Sequence, residues 1–359
     1  MRENDYWEYL GDATLTTSST TQMQYQIVTL LADGSFHSGE EMAEMFGVSR
    51  TAIWKQLKTI REQWGLEVFA VRGKGYRLAQ SLELLDQEKI GQGLTPTAQK
   101  LLSRLKIEGC IDSTNSQLMD AGAAGMASGC ACLAEQQSAG RGRRGRKWVS
   151  PFGSNIYLSL LWRYSLGIAH LSGLSLAVGL GVVRSLELLG VSGVGLKWPN
   201  DVLYQDQKLA GLLLEVAGEQ GGPSRVVVGL GLNTSLSGRQ GADIDQPWID
   251  LAQVPGGRSI SRNHLAAAVL SQLLETMEQF GRDGLAPLLQ EWHRRDLYYG
   301  RAVTLYTGAQ PIEGIHRGID ITGALLLEEN GSITAYHGGE VSLRPSGSSG
   351  GAVIGLKRV

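Results

Sequence analysis

The sequence predicts an α+β protein made of three consecutive blocks. Residues 24–80 carry apolar residues at helical spacing and end in two short strand-like runs. Residues 85–298 alternate strand-like and helical runs, and residues 299–343 are short strands broken by glycine turns such as Asn330-Gly331. We therefore expect domains at 23–83, 84–298 and 299–344, with flexible tails at 1–22 and 345–359.

The composition is that of an ordinary globular protein, with 42% hydrophobic and 19% charged residues. A net charge of -2 excludes a uniformly basic nucleic-acid coat, so a polyanion site must be a local cluster. Cys110, Cys130 and Cys132 lack disulfide or zinc spacing, which favours core thiols in a reducing cytoplasm. We expect no membrane span and no signal peptide, and no metal site of the protein's own.

The first block has the pattern of a helix-turn-helix. Gly47 separates two helical runs, Ser38 begins a capping box with Glu41, and Ser49 can cap a second helix from Arg50 to Gln63. A hairpin over 68–78, turning at Gly73-Lys74-Gly75, would be a wing. Two helices joined by a short turn place the start of the second helix in the DNA major groove.

The charges of this block are separated along the chain. Residues 24–49 hold four acids and no Lys or Arg, whereas residues 50–77 hold seven cations and two acids. Phosphates would lie along the second helix and the hairpin. A small helical domain with a solvated basic face and a protein-binding winged helix remain alternatives. The DNA-contact candidates are Ser49, Arg50, Thr51, Trp54, Lys55, Lys58, Arg72 and Lys74.

The segment Gly140 to Lys147 places five cations in eight residues. We expect it to be loose when empty and to fold around a multiply charged ligand, because its cations repel one another and its glycines allow a tight anion-binding backbone. A localisation-like run or an RNA-binding patch is the alternative. The loop is followed directly by Trp148 and a strand-like run over 155–160, which favours a ligand lid.

Three further segments accompany this loop. Asp112 to Asn115 stands before a helix, where its small polar side chains could bind a ligand or merely cap the helix. Lys197 to Asp201 ends a strand, and Lys208 to Gly211 opens the next, an arrangement that resembles a phosphate-handling site more than a surface turn. The glycine-containing strand over 226–234 would let a ligand or another backbone come close, yet no dinucleotide or Walker motif occurs.

In this order, Ser113-Thr114-Asn115, the Gly-Arg-Gly-Arg-Arg-Gly loop, Lys-Trp-Pro-Asn-Asp and Lys-Leu-Ala-Gly resemble the catalytic domain of biotin–protein ligases. With the N-terminal block, residues 24–343 resemble the bifunctional bacterial form, ligase and biotin-operon repressor in one chain. The resemblance implies a winged helix-turn-helix, a mixed α/β ligase domain with a largely antiparallel sheet, and an SH3-like small β-barrel. The turns at 320–323 and 338–340 resemble that barrel.

The resemblance also assigns site residues. Arg141, Arg143 and Lys208 would be catalytic, and we add Asp201 as a candidate for orienting or deprotonating the acceptor lysine, although Asn-Asp could equally be a turn. Gln136 stands where the family commonly has an aromatic residue, next to the pocket residue Gln137. Biotin would meet Ser113, Thr114, Asn115, Gln137, Arg141, Gly142, Arg143, Lys208 and Gly211. ATP and the adenylate would meet Arg144, Trp148, Lys197, Asn200, Asn233 and Trp248.

The implied activity is ATP-dependent formation of biotinyl-AMP, with Mg²⁺, and transfer of biotin to a lysine of a biotin carboxyl carrier protein. The implied partners are operator DNA of biotin synthesis genes and a second copy of the chain. The dimer would form through strand edges of the central sheet when biotinyl-AMP is bound. Two alternatives are a lipoate–protein ligase, and a transcription factor that senses a small anion without catalysis.

Overall fold

The computed structural model describes residues 19–219, 221–236, 240–307, 311–337 and 342–345. Its first helix, α1 (Ser19–Leu31), begins inside the segment that we expected to be a tail, so residues 19–22 belong to the N-terminal domain instead. Pro345, the first residue of the other expected tail, ends a strand, whereas residues 1–18 and 346–359 and the expected turn at 338–340 lie outside the described residues.

The N-terminal block contains the two helices that the capping residues predict. They are α2 (Gly39–Met45) and α3 (Arg50–Gln63), followed by the hairpin strands β1 (Val68–Val71) and β2 (Gly75–Leu78). Ser49 caps α3 by accepting a hydrogen bond from the Ala52 amide at 3.2 Å. Ser38 caps α2, but it accepts from the Glu40 amide and not from that of Glu41, the bond that a capping box requires. The two helices and the turn between them confirm the helix-turn-helix prediction, whereas the reciprocal capping box does not form in full.

A seven-stranded sheet forms the middle of the molecule. Its order is β3-β4-β5-β9-β8-β7-β6, and only the β3–β4 pair is parallel, as expected of a largely antiparallel sheet. The elements of this block are α4 (Gln87–Gly93), α5 (Pro96–Leu101), β3 (Arg104–Ile111), α6 (Thr114–Ala123), β4 (Cys130–Gln137), β5 (Asn155–Tyr164), α7 (Leu174–Leu188), β6 (Val194–Lys197), β7 (Asp201–Tyr204), β8 (Gln207–Gly218), β9 (Ser224–Asn233), α8 (Arg262–Asp283) and α9 (Leu289–Arg295).

The two faces of this sheet bury different cores. Along β4, Ala131 and Leu133 join the large core under α7 and α8, whereas Cys130 and Cys132 join a smaller core under α6. This alternation is the two-residue period of a strand. The thiols of Cys130 and Cys132 are core groups, as we expected. The helical segment over residues 168–188 is long and apolar enough by composition to cross a membrane, but 67% of its apolar 18-residue window is buried, as is usual for a core helix.

The last block is a five-stranded antiparallel sheet of order β13-β12-β11-β10-β14. Asn330 and Gly331 form its predicted hairpin turn with φ of 50° and 82°. At the junction with the ligase block, the buried side chain of His316 contacts the Asp296 carboxylate at 2.6 Å. The strands are β10 (Ala302–Tyr306), β11 (Pro311–Ile319), β12 (Leu325–Glu329), β13 (Ser332–Tyr336) and β14 (Ser342–Pro345).

The N-terminal domain is packed firmly against the central sheet. Phe152, which follows the arginine loop in the chain, lies in the core of the helix-turn-helix and stacks on Trp64 with ring centroids 4.5 Å apart. The linker is anchored as well, because the Glu83 carboxylate accepts hydrogen bonds from the Ser261 hydroxyl and the Arg262 amide at the start of α8. The polypeptide around the loop therefore contributes to both domains.

Candidate biotin and nucleotide site

A cavity of about 790 Å³ opens between the arginine loop, the start of α6 and the strands β6 to β9. Every ligand-site candidate from the sequence lines it, whether from the biotin set, the nucleotide set or the candidate base. These residues are Ser113, Thr114, Asn115, Gln137, Arg141, Gly142, Arg143, Arg144, Trp148, Lys197, Asn200, Asp201, Lys208, Gly211, Asn233 and Trp248. The fold thus brings together segments that are up to 135 positions apart in the sequence.

One end of the cavity is a buried polar cluster at the start of α6. Ser113 caps the helix through the Ser116 amide, as the capping alternative requires, and it also lines the cavity. Gln137 accepts hydrogen bonds from the Thr114 amide at 3.0 Å and from the Thr114 hydroxyl at 3.1 Å. The Ser159 hydroxyl donates to Asn115 Oδ1 at 2.6 Å. This network orients the side chains of Thr114, Asn115 and Gln137 at this end of the cavity.

Two glycines of β9 make room for side chains. A Cβ on Gly229 would lie 2.2 Å from Asn115 Oδ1, and one on Gly231 would lie 2.2 Å from the Trp148 ring. We expected a ligand or another backbone to approach this strand, and the structure instead brings two pocket side chains against it. The Trp148 Nε1 atom is buried and has no hydrogen-bond partner among the described residues.

The arginine loop is folded and attached at two points. Gly142 donates its amide to the Arg146 carbonyl at 2.7 Å, which closes the loop on itself. The Arg141 side chain donates to Glu215 at 2.8 Å, and that of Arg143 donates to Asn200 Oδ1 at 2.8 Å. Our expectation of a loose empty loop therefore missed these internal partners. Burial lowers the pKa of the Arg143 guanidinium, although Asp201 acts in the opposite direction.

The two lysines of the strand-hairpin motif line the same cavity. Lys208 Nζ lies 2.8 Å from Asp201 Oδ1 and 5.4 Å from the centre of the Trp148 ring. Lys197 Nζ lies 5.9 Å from the centre of the Tyr298 ring. Pro199 stands between β6 and β7, outside the ladder, as we predicted. The cavity is therefore cationic on the loop side and on the strand side.

Sequence reasoning missed part of the cavity wall. Tyr298, the last residue of the ligase block, and Arg301, near the start of the last block, line the cavity, and Arg301 pairs with Asp206 at 2.8 Å. Burial raises the pKa of Tyr298 to about 12, so its hydroxyl stays protonated at neutral pH. Gln136 does not form a pocket wall, because its side chain donates to the Gln63 carbonyl at 3.4 Å in the N-terminal domain. No motif marked Tyr298 or Arg301.

The DNA-contact candidates are all exposed and lie on two adjacent elements. Trp54 is 53% exposed, which shows that it is not a core residue of the helix. In the hairpin, the Arg77 guanidinium lies between the rings of Phe36 and Phe69, 5.2 and 5.1 Å from their centres. The exposed candidates are Ser49, Arg50, Thr51, Trp54, Lys55 and Lys58 around α3, and Arg72 and Lys74 in the hairpin turn.

Three family models match consecutive parts of the chain. The helix-turn-helix model "HTH domain" matches residues 24–77, the "Biotin/lipoate A/B protein ligase family" matches residues 109–233, and the "Biotin protein ligase C terminal domain" matches residues 298–344. These matches fall on the three blocks that the structure separates.

Individual proteins are similar to this chain over most of its length. The chain is 44% identical to the "Bifunctional ligase/repressor BirA" of Salmonella typhimurium, over 90% of this chain and 98% of that protein. It is 30% identical to the protein of the same description from Bacillus subtilis, over 87% and 95%. A solved structure, "Biotin protein ligase from Aquifex aeolicus in complex with biotin and ATP", matches 68% of this chain and 100% of its own, with a TM-score of 0.58 and 28% identity. The chain therefore belongs to the family of bifunctional biotin–protein ligases and repressors.

Proposed function

We propose that this chain joins biotin to ATP as biotinyl-AMP and transfers the biotin to a lysine of a biotin carboxyl carrier protein. The observation that carries the proposal is the cavity itself, in which Arg141, Arg143, Lys197 and Lys208 face a buried polar cluster. In the first step a biotin carboxylate oxygen attacks the α-phosphorus, and pyrophosphate leaves. In the second step the lysine amine attacks the acyl carbon, and AMP leaves.

The main physical difficulty of the first step is the repulsion between two anions, and the cations of the cavity reduce it. Two unit negative charges about 4 Å apart repel by roughly 4 kcal/mol at an effective dielectric near 20. Arg141 and Arg143 from the loop and Lys208 from β8 would offset this repulsion as the carboxylate nears the phosphate. Arginine suits the loop because its planar fork grips two oxygens at once. No covalent enzyme intermediate is required.

The second step needs a neutral lysine amine and a dry site. Asp201 remains our candidate for orienting that amine or accepting its proton. In the structure its carboxylate is paired with Lys208, so it becomes available as a base only if the bound phosphate draws Lys208 away. The folded loop would keep water from the mixed anhydride.

Mg²⁺, which the family implies, fits this site as a companion of ATP. No group of three or more His, Cys, Asp or Glu side chains that could hold a metal occurs within the described part of the chain. Magnesium commonly binds one or two carboxylates together with substrate phosphates, and Asp201 is a carboxylate that lines the cavity beside Lys208. Bound there, the ion would neutralise phosphate charge.

We also propose that the N-terminal domain is a winged helix that represses biotin synthesis genes. The exposed cations of α3 and of the 68–78 hairpin support contact with operator phosphates and bases. The test is footprinting on the chain's own biotin-gene promoter with and without biotin plus ATP. Protection that appears or strengthens with both ligands is expected, and no protection in either condition would contradict this function.

A ligand-dependent homodimer is part of the proposal, since two half-sites require two winged helices. The strand β8 supports it: β7 pairs with β8 only as far as Gly211, and β8 continues to Gly218. On the side of β8 that faces β7, no strand of the described chain pairs with residues 213–218, so this edge is available to a second copy.

We further propose that the chain is cytoplasmic, that the last block is an SH3-like barrel, and that the domains divide at about 83 and 298.

The ligase proposal is tested by offering biotin and lipoate in parallel to the chain with ATP, Mg²⁺ and a biotin carrier domain. Transfer of biotin alone to the carrier lysine, measured as a mass increase of the carrier, is the expected result. Transfer of lipoate instead would favour the lipoate ligase. Binding of biotin without any transfer would favour the sensing transcription factor.

A further inference from the structure

Glu215 is a carboxylate that no motif marked, and it connects the arginine loop to the buried polar cluster. It lies on β8 with its side chain 26% exposed. One of its oxygens, Oε2, accepts from Arg141 Nη2 at 2.8 Å and from Asn115 Nδ2 at 2.9 Å. Both donors belong to the residues that the proposed function assigns to biotin.

The two donors have different freedom to leave Glu215. Asn115 is held elsewhere too, because its Nδ2 reaches the Leu213 carbonyl at 3.3 Å and its Oδ1 accepts from Ser159. The Arg141 side chain is 43% exposed, and Glu215 is its ion-pair partner in the structure. A ligand carboxylate that reaches Arg141 must therefore compete with Glu215, while Asn115 can stay in place.

We propose that Glu215 is a positioning residue that stands in for the substrate carboxylate: it holds Arg141 in the empty site and yields it when biotin binds. This inference rests on the proposed function. The pair keeps the start of the loop next to the pocket, so the arginines of the loop are already close to the binding position when the ligand arrives. The cost is a weaker affinity for biotin, since the pair must open.

Two physical effects act on biotin affinity in the same direction. Breaking a half-exposed Arg–Glu pair opposes binding, and the Glu215 charge repels a second carboxylate nearby. Glu215→Gln keeps the size of the side chain and one acceptor oxygen but removes the charge. Removing an ion pair of this exposure should change the affinity of the chain for biotin by about three- to fivefold. A purely structural role would instead make this variant bind biotin more weakly.

The test is a calorimetric titration of the full-length chain with biotin, and separately with biotinol, which has a hydroxyl in place of the carboxylate. We expect Glu215→Gln to bind biotin about three- to fivefold more tightly and biotinol with unchanged affinity. Glu219→Gln, the same substitution at an exposed position four residues further on, is the matched control and should leave both affinities unchanged.

Limited trypsin digestion of the loop over 140–147 provides a second readout. Without ligand, Glu215→Gln should be cut faster than the wild-type chain, because Arg141 has lost its charged partner. Unchanged or weaker biotin binding by the variant, equal tightening for biotinol, or unchanged cleavage would overturn the inference. A wild-type chain that binds biotin without releasing pyrophosphate from ATP would contradict the proposed function alone, and one that does not bind biotin would contradict both.

Discussion

Lys208 occupies the position where the proposed chemistry needs a mobile positive charge. Its ammonium group lies between the Asp201 carboxylate and the face of Trp148, and its side chain is 16% exposed. The carboxylate and the face of the ring both attract the ammonium group, and a bound phosphate could take the place of the carboxylate. We therefore expect the Lys208 ammonium group to exchange its contact with Asp201 for a contact with the phosphate of the ligand.

Lys208→Ala should reduce biotin-dependent pyrophosphate release by more than tenfold, because it removes a charge that acts directly on the phosphate. Lys100→Ala, at an exposed lysine at the end of α5, should leave the rate unchanged. Circular dichroism and thermal melting of both variants show whether the fold is kept. A folded Lys208→Ala chain with the wild-type rate would remove Lys208 from the mechanism.

The sequence candidates that line the cavity were found in two ways. Some lie in a short run whose composition is unusual, such as five cations in eight residues or a lysine-flanked Asn-Asp pair, whereas Gln137, Asn233 and Trp248 were named through the family resemblance. Glu215, Tyr298 and Arg301 were missed because each is a single polar residue in an ordinary strand or turn. Their importance comes from neighbours that the fold supplies, which a local pattern does not contain.

At the scale of elements, the segment after the arginine loop ties two domains together. Phe152 is fully buried among residues of the helix-turn-helix, with Trp64 stacked on one face and Tyr25 at its edge, 6.2 Å away. The side chain comes from the ligase block, so the N-terminal core is incomplete without it. The DNA-binding domain is therefore supported by the polypeptide that follows the ligand loop.

Phe152→Ala should destabilise the N-terminal domain by about 3–5 kcal/mol, the usual effect of emptying a buried aromatic site. Hydrogen exchange of the amides in residues 24–77 measures this local stability. Met45→Ala is the control, since Met45 is 63% exposed in the same domain and should change protection little. Equal protection in the wild-type and Phe152→Ala chains would show that Phe152 does not support this core.

The helices α7 and α9 are joined by a charge network whose stability should depend on pH. Glu291 on α9 accepts hydrogen bonds from Arg184 on α7, and this lowers the pKa of the Glu291 carboxyl. A depressed pKa in the folded chain adds stability that is complete above the unfolded pKa and is lost as the pH falls through the folded value.

The difference in Tm between the wild-type chain and Glu291→Gln should therefore be present at pH 7 and shrink toward zero in strong acid. Thermal melts at several pH values measure it. Glu278→Gln, at an exposed position on α8, should show a small difference at pH 7. A difference for Glu291→Gln that stays constant down to acid pH would contradict the assigned pairing.

The elements themselves were predictable where a local rule applied. The Ser49 cap, the Asn330-Gly331 hairpin and the break at Pro199 follow from backbone chemistry that a few residues determine. The start of α1 was placed wrongly, because a Ser/Thr run has weak helix propensity and the helix is stabilised by packing of Ile27, Val28 and Leu31. The burial of residues 168–188 likewise depends on the sheet that covers them.

At the scale of the whole molecule, the cavity draws its walls from distant parts of the chain. The loop and α6 form one side, the strands β6 to β9 form another, and Tyr298 and Arg301 line the cavity at the boundary between the ligase block and the last block. The DNA-binding domain adjoins the same region through Phe152. Occupation of one cavity can therefore affect several domains, a geometry suited to a protein that reports ligand supply through DNA binding.

The central claim is that these cations let a biotin carboxylate meet the α-phosphate of ATP. The most direct measurement is pyrophosphate release by the purified chain with ATP and Mg²⁺, with and without added biotin and in the absence of any carrier protein. The account predicts release that requires biotin and reaches an amount comparable to the enzyme present, with biotinyl-AMP recovered from the protein. Pyrophosphate release that is absent, or that is the same without biotin, would contradict it.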